Sequence, residues 1–452
     1  MNWLIPLALG FRLLDPMLLP PPDGRGSETA GQRRDRKAAA EPAELTRQAT
    51  ERLVAADFGE AEMLFEQAIG IWRREGRPEV EWALALGNLG ALYGARAETG
   101  KAEAHLREAL SMIEGLVDHD DPRRGRLLLS LAQVRLTAGR LSQAKELTGE
   151  AIGICVESPA DMATAADAMG RIAQFEGALG EAERWFSAAL ELREQALGPH
   201  HHDTAKVRGN LGVVLRLRGK LSEAEGQFRL ALHDYRRAGL GAHPSVAALV
   251  NNLGQIEQER GNWKQALAAY QEACALLRRS LGPAHPNVAN TLTNMATVWQ
   301  TRKKHARAEA LLAEALAIER RHFAEGHPRV AMTLNNMAAV AAGRGRFAEA
   351  ERLLTSALEQ LQAAVPADHP DVGLLSVNLG EVYRAMKDYE RATPLYSEGL
   401  RILESAWGAE VPRLIPKLER YSELLRAQEQ YAEAETVQVR QMRIRVKQAL
   451  RP

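Results

Sequence analysis

The chain has 452 residues, and its 58 basic side chains equal its 58 acidic side chains. Balanced charge argues against a general affinity for nucleic acid, because binding to phosphates needs a basic face that releases counterions. The two cysteines, Cys155 and Cys274, fall on apolar stretches of predicted helices. We interpret them as small buried side chains rather than as a disulfide or a metal site.

The N-terminal segment is apolar but interrupted. Residues 1–19 read MNWLIPLALGFRLLDPMLL, a run broken by two prolines and two charged residues. A membrane-spanning helix needs about 20 consecutive apolar residues, so stable membrane insertion is not expected. The segment also lacks the basic start and the small-residue cleavage site of a signal peptide. This favours a cytoplasmic protein, with export, a flexible leader or a start codon assigned too early as the alternatives.

Residues 20–41 are rich in Pro, Gly and charged residues and contain almost no large apolar side chains. Such a composition is unable to bury a core, so we predict an unstructured linker. The sequence therefore predicts a leader and disordered linker over residues 1–42, followed by a helical solenoid over residues 43–450.

A dipeptide recurs at a fixed interval in the second half of the chain. The His-Pro pairs begin at His243, His285, His327 and His369, 42 residues apart. A period of this length is typical of solenoid proteins. Within one repeat, His243 is expected to cap a first helix that has Pro244 at its first position, where a missing N–H costs nothing.

The predicted units follow one plan. Gly261 is expected to end the first helix of its repeat in the left-handed conformation, and Gly282 to end the second. Apolar residues recur at steps of three and four throughout, as in amphipathic helices. About ten helix pairs are predicted, the most regular over residues 201–408. They begin near Ala43, Glu79, Arg123, Pro159, His201, His243, His285, His327, His369 and Val411.

Small residues mark the places where helices are expected to touch. Each first helix carries a Gly or Ala, such as Gly212, and each second helix carries an Ala near its start, such as Ala224. An aromatic residue or Leu, such as Phe228, follows four residues later. Backbones approach closely only where side chains are small, and a bulky replacement would overpack the contact by about 1–3 kcal/mol.

This set of positions resembles the tetratricopeptide repeat. The 42-residue version, with NNLG or NNMA in the first helix and a G-x-x-HP linker, is similar to the repeats of kinesin light chains and their bacterial relatives. The resemblance covers about residues 43–450 and implies an all-α, right-handed α-solenoid, with first helices on the concave face. The chain has no N-terminal heptad helix for pairing with a motor chain, so a role as a motor subunit is not expected.

The resemblance also directs attention to an Asn that follows each His by nine residues. In superhelical tetratricopeptide proteins such Asn residues form a ladder that holds the backbone of an extended peptide, and a carboxamide is suited to this because it both donates and accepts hydrogen bonds. The alternative is that these Asn residues only tie adjacent repeats together. The candidate groove residues are Asn210, Asn252, Asn294, Asn336, Asn378, Asn251, Gln255, Thr293 and Asn335.

Other residues that could carry chemistry are interpreted structurally. The triplet His200 to His202 is the densest His group, but the repeated His residues occupy one position per repeat, and stacking separates them. Four converging ligands are not evident, so neither a metal nor a cofactor is predicted. Phosphate-binding, hydrolase and metalloprotease motifs are missing, and the protein is not expected to be an enzyme.

Three functions remain as hypotheses. The first is a scaffold that binds an extended peptide or a flexible segment of a protein partner in the concave groove. The second is a regulatory repeat protein whose curvature responds to a ligand. The third is a structural assembly factor that uses its convex face or its ends. The sequence indicates neither the identity of the partner nor the oligomeric state.

Overall fold

A computed structural model describes residues 30–54, 57–76, 78–96, 98–154 and 158–449. These residues form twenty α-helices and one short 3-10 helix at Pro412–Leu414, and contain no β-strand. Residues 1–29 of the predicted leader and linker (residues 1–42), and Cys155, lie outside the described part of the chain.

The helices follow one another as pairs. Their bounds are α1 Ala30–Val54, α2 Phe58–Glu75, α3 Val80–Ala95, α4 Thr99–Ile113, α5 Pro122–Thr137, α6 Leu141–Ile154, α7 Pro159–Phe175, α8 Leu179–Leu197, α9 His202–Leu217, α10 Leu221–Arg237, α11 Pro244–Glu259, α12 Trp263–Leu281, α13 Pro286–Thr301, α14 His305–His322, α15 Pro328–Gly343, α16 Phe347–Ala364, α17 Pro370–Ala385, α18 Tyr389–Trp407, α19 Ile415–Ala427 and α20 Tyr431–Ala449. The odd-numbered helices are the first helices of the repeats. The predicted all-α stack of about ten helix pairs is therefore confirmed.

The chain divides into two compact units, one ending at Gly241 and the other beginning at Ala242. Helices α1 to α10 belong to the first unit and helices α11 to α20 to the second. Helix α1 begins at Ala30, so it includes residues 30–42 of the predicted linker.

The predicted histidine caps are present. In α11, α13, α15 and α17 the Nδ1 atom of the preceding His accepts a hydrogen bond from the backbone N–H two residues later, at 3.1–3.2 Å. His201 caps α9 in the same way, at 3.2 Å. Each bond satisfies one of the backbone donors that a helix start leaves without an intrahelical partner.

Most turns between first and second helices contain a Gly in the left-handed conformation. Gly219, Gly261 and Gly345 have φ of 80°, 80° and 75°. At the same turn position Lys303, Lys387 and Glu429 adopt φ of 57°, 62° and 64°. The turns at Lys303, Lys387 and Glu429 thus reach the same geometry with side chains that disfavour it.

The core of each unit is built from the predicted small-residue contacts. Ala224 and Phe228 are fully buried, and a Cβ built on Gly212 would lie 2.6 Å from the ring of Phe228. A Cβ built on Gly254 would likewise lie 2.8 Å from the ring of Tyr270. Small residues in first helices therefore admit the ring from the second helix of the same pair.

Two further points concern the burial of Cys274 and the length and apolar character of the helices. Cys274 is a free thiol that is 7% exposed, and burial raises its pKa, which agrees with its interpretation as a small apolar side chain. Among the helices of the described residues, none combines the length and the apolar character that crossing a bilayer requires.

Candidate functional site

Carboxamides of neighbouring first helices form hydrogen bonds with one another. In the unit that begins at Ala242, Asn294 Nδ2 donates to Asn251 Oδ1 at 3.0 Å, and Asn378 Nδ2 donates to Asn335 Oδ1 at 2.7 Å. Each bond joins residues 43 positions apart, so the partner lies one residue before the equivalent Asn of the previous repeat. These Asn residues therefore tie successive repeats together, as in the alternative raised from the sequence.

The same bond occurs in the other unit with a different acceptor. Asn210 Nδ2 donates to Asp167 Oδ1 at 2.8 Å. Near the N-terminus, Asn88 Nδ2 lies 3.5 Å from Thr50 Oγ1, at the limit of a hydrogen bond. The position is thus used for contacts between repeats in both units.

The inter-repeat bonds leave part of each carboxamide available. A carboxamide can donate twice and accept twice, and the bonds described use one N–H of Asn294 and one of Asn378. Both side chains are half-buried rather than enclosed. They can therefore hold the repeats together and also meet a ligand.

The other candidate residues are more deeply buried. Asn252 and Asn336 are 9% and 4% exposed. Thr293, Asn251 and Asn335 are also buried. Their surface available to a ligand is small, so contact with a peptide would fall mainly on Asn294 and Asn378.

Gln255 differs from its neighbours because its acceptor has no partner. Its side chain is buried, and Oε1 forms no hydrogen bond with any of the described residues. A buried acceptor without a partner costs about 1–3 kcal/mol. Gln255 is as enclosed as Asn252, so the peptide N–H of a ligand would satisfy Oε1 only after the side chain rotates toward the groove. This makes Gln255 the most informative of the predicted groove residues.

Charged first-helix residues near these positions are engaged with one another. Arg384 donates to both carboxylate oxygens of Glu381, at 3.0 and 2.6 Å, and Tyr396 donates to the same carboxylate. Burial acts to raise the pKa of Glu381, but the hydrogen bonds from Arg384 and Tyr396 outweigh it, and the pKa is lowered. The pair is a satisfied internal contact.

The histidine triplet is arranged in a way that the sequence did not predict. His200 Nδ1 lies 2.9 Å from Asp234 Oδ1, and His233 Nδ1 lies 3.3 Å from the same oxygen. Arg208 Nε stands 3.9 Å from the second carboxylate oxygen. Helix α10 ends beside the α8–α9 linker, which brings these side chains together. The buried carboxylate of Asp234 thus lies beside the Arg208 guanidinium and contacts two exposed imidazoles.

Comparison with protein families identifies the repeats. The profile of the tetratricopeptide repeat matches residues 161–237, 245–321 and 329–405, which together make up more than half of the chain. A second profile with the same description matches residues 82–123. No protein of curated function matches the sequence.

Solved structures share the fold at low sequence identity. The Rap protein complexed with competence and sporulation factor matches with a TM-score of 0.60 and 16% identity, covering 82% of this chain and 99% of that one. NprR in complex with its cognate peptide NprX matches with a TM-score of 0.56 and 14% identity, covering 82% and 99%. The kinesin-light-chain-like repeats of Podosopora anserina match at 20% identity over 45% of this chain and 97% of that one, with a TM-score of 0.39.

Proposed function

This chain belongs to the tetratricopeptide repeat family, with repeats like those of kinesin light chains, and on that basis we propose that it is a protein-interaction scaffold. Its ligand is an extended peptide or a flexible segment of a partner protein. The segment lies along the first helices α11, α13, α15 and α17 of the unit that begins at Ala242. Asn210 occupies the same position of the repeat in the other unit.

The observation that carries this proposal is the row of carboxamides on consecutive first helices. Asn294 and Asn378 each retain hydrogen-bonding capacity beyond the bond to the preceding repeat, and Gln255 Oε1 lacks a partner among the described residues. Carboxamides recognise the peptide unit itself, whatever side chains the ligand carries. Each such bond contributes about 0.5–1.5 kcal/mol net, so several are needed for useful affinity.

Two proteins with this fold lend support. Rap was solved with competence and sporulation factor, and NprR with its cognate peptide. The proposal extends to this chain only the class of ligand, a peptide, and not its sequence or its biological role.

The proposal is tested with Gln255→Leu. Replacing an unsatisfied acceptor by an apolar side chain should leave the free energy of unfolding unchanged or raise it by about 1 kcal/mol, because the desolvation cost disappears. Binding of the ligand should weaken, because its N–H loses an acceptor. The ligand is first identified by affinity pull-down and mass spectrometry, and its affinity is then measured by calorimetry.

The matched control is Gln265→Leu, the same replacement at an exposed position of α12. It should bind the identified peptide as the wild type does. If Gln255→Leu also binds with unchanged affinity, the ligand does not lie along the first helices and the proposal is wrong.

A further inference from the structure

Polar contacts between neighbouring repeats recur beside the turns. The residue that follows the small Ala of each second helix, called here the junction residue, meets the turn of the next repeat. Glu183 pairs with Lys220 at 2.9 Å and also with Arg218. Glu309 pairs with Arg344 at 2.6 Å and also with Arg346.

Other junctions make the same contact with different residue types. At one junction the signs of the charges are reversed, because Lys145 is the junction residue and Glu176 lies in the turn, 3.1 Å away. A neutral pair forms where Thr393 Oγ1 lies 2.6 Å from Gln428 Oε1. The junction residue is therefore matched to its turn even where the charges differ.

The junction at Leu267 departs from this pattern of matched polar side chains. Leu267 is the junction residue of its repeat, and the next turn carries Arg302, Lys303 and Lys304, with Arg307 just beyond. Within residues 242–449, where the chain is described, these four side chains form no ion pair, and all are exposed. Leucine at the junction thus leaves a basic turn without its carboxylate.

In two other repeats the junction residue is a Glu, and these repeats show which contacts its carboxylate makes. Tyr93 donates to Glu62 at 2.9 Å, and Lys101 Nζ lies 4.8 Å from the centre of the Tyr93 ring. An aromatic ring, a cation over its face and the carboxylate of the junction residue form a triad, in which the cation and the carboxylate are both held by the ring.

The second triad has the same members. Tyr383 donates to Glu351 at 3.0 Å, and the guanidinium carbon of Arg391 lies 4.1 Å from the ring centre. In both triads the carboxylate comes from the preceding repeat.

The equivalent residues of the turn between α13 and α14 complete the comparison. Trp299 stands at the position of the two tyrosines, and the guanidinium carbon of Arg307 lies 4.5 Å from its ring centre, with that of Arg302 at 5.7 Å. The ring and the cations are present, but Leu267 occupies the carboxylate position. The face of the Trp299 ring attracts cations through its quadrupole, so the two guanidinium groups are held beside it.

An apolar floor adjoins these cations. Leu267 packs with the half-buried side chains of Trp263, Trp299 and Leu311. Cations beside half-buried indole rings offer both charge and apolar contact area, a combination enriched at protein interfaces. We call Trp263, Trp299, Arg302, Lys304 and Arg307 the Trp299 surface.

We propose that the Trp299 surface binds an acidic segment of a partner protein. A Glu or Asp carboxylate of the partner pairs with the exposed cations of this surface, as Glu62 pairs with Arg96 and Glu351 with Arg391 in the complete triads. An apolar side chain next to it packs on Trp263 and Trp299. The missing group is a single side-chain carboxylate, which favours an acidic peptide over a lipid headgroup. The surface lies at the turn between α13 and α14, apart from the carboxamide row, so it does not depend on the peptide site proposed above.

The test restores the internal carboxylate. The variant Leu267→Glu should complete the third triad and compete with the ligand from within the molecule. The probe is a fluorescein-labelled peptide of alternating Glu and Phe residues, and binding is followed by fluorescence anisotropy at low ionic strength. Relative to wild type, Leu267→Glu should bind at least about tenfold more weakly, and added salt should weaken wild-type binding.

Thr393→Glu is the matched control, because it adds the same charge at the junction position of another repeat. It should bind the probe as wild type does. Leu267 is 7% exposed, so circular dichroism checks the fold of Leu267→Glu. The double variant Arg302→Glu, Lys304→Glu, which changes only exposed side chains, should lose binding to a similar extent.

Three outcomes overturn the proposal. The first is a wild-type protein that does not bind the probe. The second is equal binding by wild type, by the folded Leu267→Glu variant and by the double variant. The third is binding to vesicles that contain phosphatidylserine without binding to the peptide, which would assign the surface to a membrane. Gln255→Leu should bind the probe normally, so failure here and failure of the peptide site are distinguishable.

Discussion

The cap histidines act as acceptors, and only a neutral imidazole can do this. Burial lowers the pKa of His285 and His327. Smaller contributions come from His322 and Arg329 at His285, and from Arg329 at His327. Because Nδ1 of each accepts a backbone N–H, protonation would remove the cap as well as place a charge in a desolvated site. An acid-sensitive pair of caps is therefore part of the unit that begins at Ala242.

The pH dependence follows from this direction of the pKa shift. Below about 6.5 the unfolded chain binds protons that the folded histidines resist, so the stability contributed by these caps is present at neutral pH and is lost as the pH falls. Replacing both residues by Asn, itself a capping residue, should flatten this part of the pH profile. Urea unfolding between about pH 5 and 8 would measure it, and an unaltered profile would contradict the assignment.

The close approach of first and second helices depends on single glycines. Gly212→Ala should lower the free energy of unfolding by about 1–3 kcal/mol, because the new Cβ would lie 2.6 Å from Phe228. Gly226→Ala is the control, since nothing stands within 4 Å of its Cβ position and the residue is exposed on α10. That variant should be more stable than wild type by about 0.5–1 kcal/mol. Thermal unfolding compares the two, and equal effects would argue against the contact.

At the scale of the elements, the helix starts and turns were predictable because they depend on local chemistry. His-Pro sets the start of α11, α13, α15 and α17, and Gly261 and Gly345 set the reversals after α11 and α15, so these bounds agree with the sequence. The turn at Lys387 was not predictable in this way. Its left-handed backbone is imposed by packing of the helices on both sides, which outweighs the local preference of the residue.

The strain at this turn gives an element-scale prediction. A left-handed residue with a Cβ costs about 1–2 kcal/mol, and Lys387 adopts φ of 62°. Lys387→Gly should therefore raise the free energy of unfolding by about 1 kcal/mol, reduced by the greater freedom of Gly in the unfolded chain. Lys387→Ala keeps the Cβ and should change little. Chemical denaturation would resolve the difference, and a gain shared by both variants would point to the loss of the charge instead.

For the carboxamide row, the sequence predicted the positions of the Asn residues but not their hydrogen-bond partners. The 42-residue period identified the Asn positions, but the bonds connect residues 43 apart. The offset by one residue depends on which side chains of neighbouring first helices face each other, and a repeat in the sequence does not reveal this. The His200, His233 and Asp234 cluster was missed because its members come from the end of α10 and the α8–α9 linker, which are far apart in the sequence.

At the scale of the whole molecule, each unit carries its own core. Residues 242–452 contain five helix pairs, α11 to α20, and in a solenoid each repeat contacts only its neighbours. This fragment should fold alone, with the helical circular dichroism of paired helices and a cooperative melt. The fragment 263–452, which lacks α11 and leaves α12 without its partner, should melt at a lower temperature. A fragment 242–452 without cooperative melting would contradict the independence of the unit.

The function was harder to predict from the sequence than the fold, because the repeated residues are mainly those that pack the helices together. The same Asn that could hold a peptide also joins two repeats, and sequence alone does not separate these roles. The Trp299 surface was not found from the sequence, since a basic turn such as that containing Lys304 is ordinary until the carboxylates of the other junctions are known. It is the regularity of the structure that makes the exception visible.

The junction contacts also restrict how this protein can change over evolution. Since Lys145 meets Glu176 whereas Glu183 meets Arg218, a repeat moved into the first of these junctions from the second would set two like charges against each other. Repeats that descend from duplication are commonly regarded as interchangeable modules. The two repeats that meet at Lys145 and Glu176 are not interchangeable with the others, so selection should preserve their order.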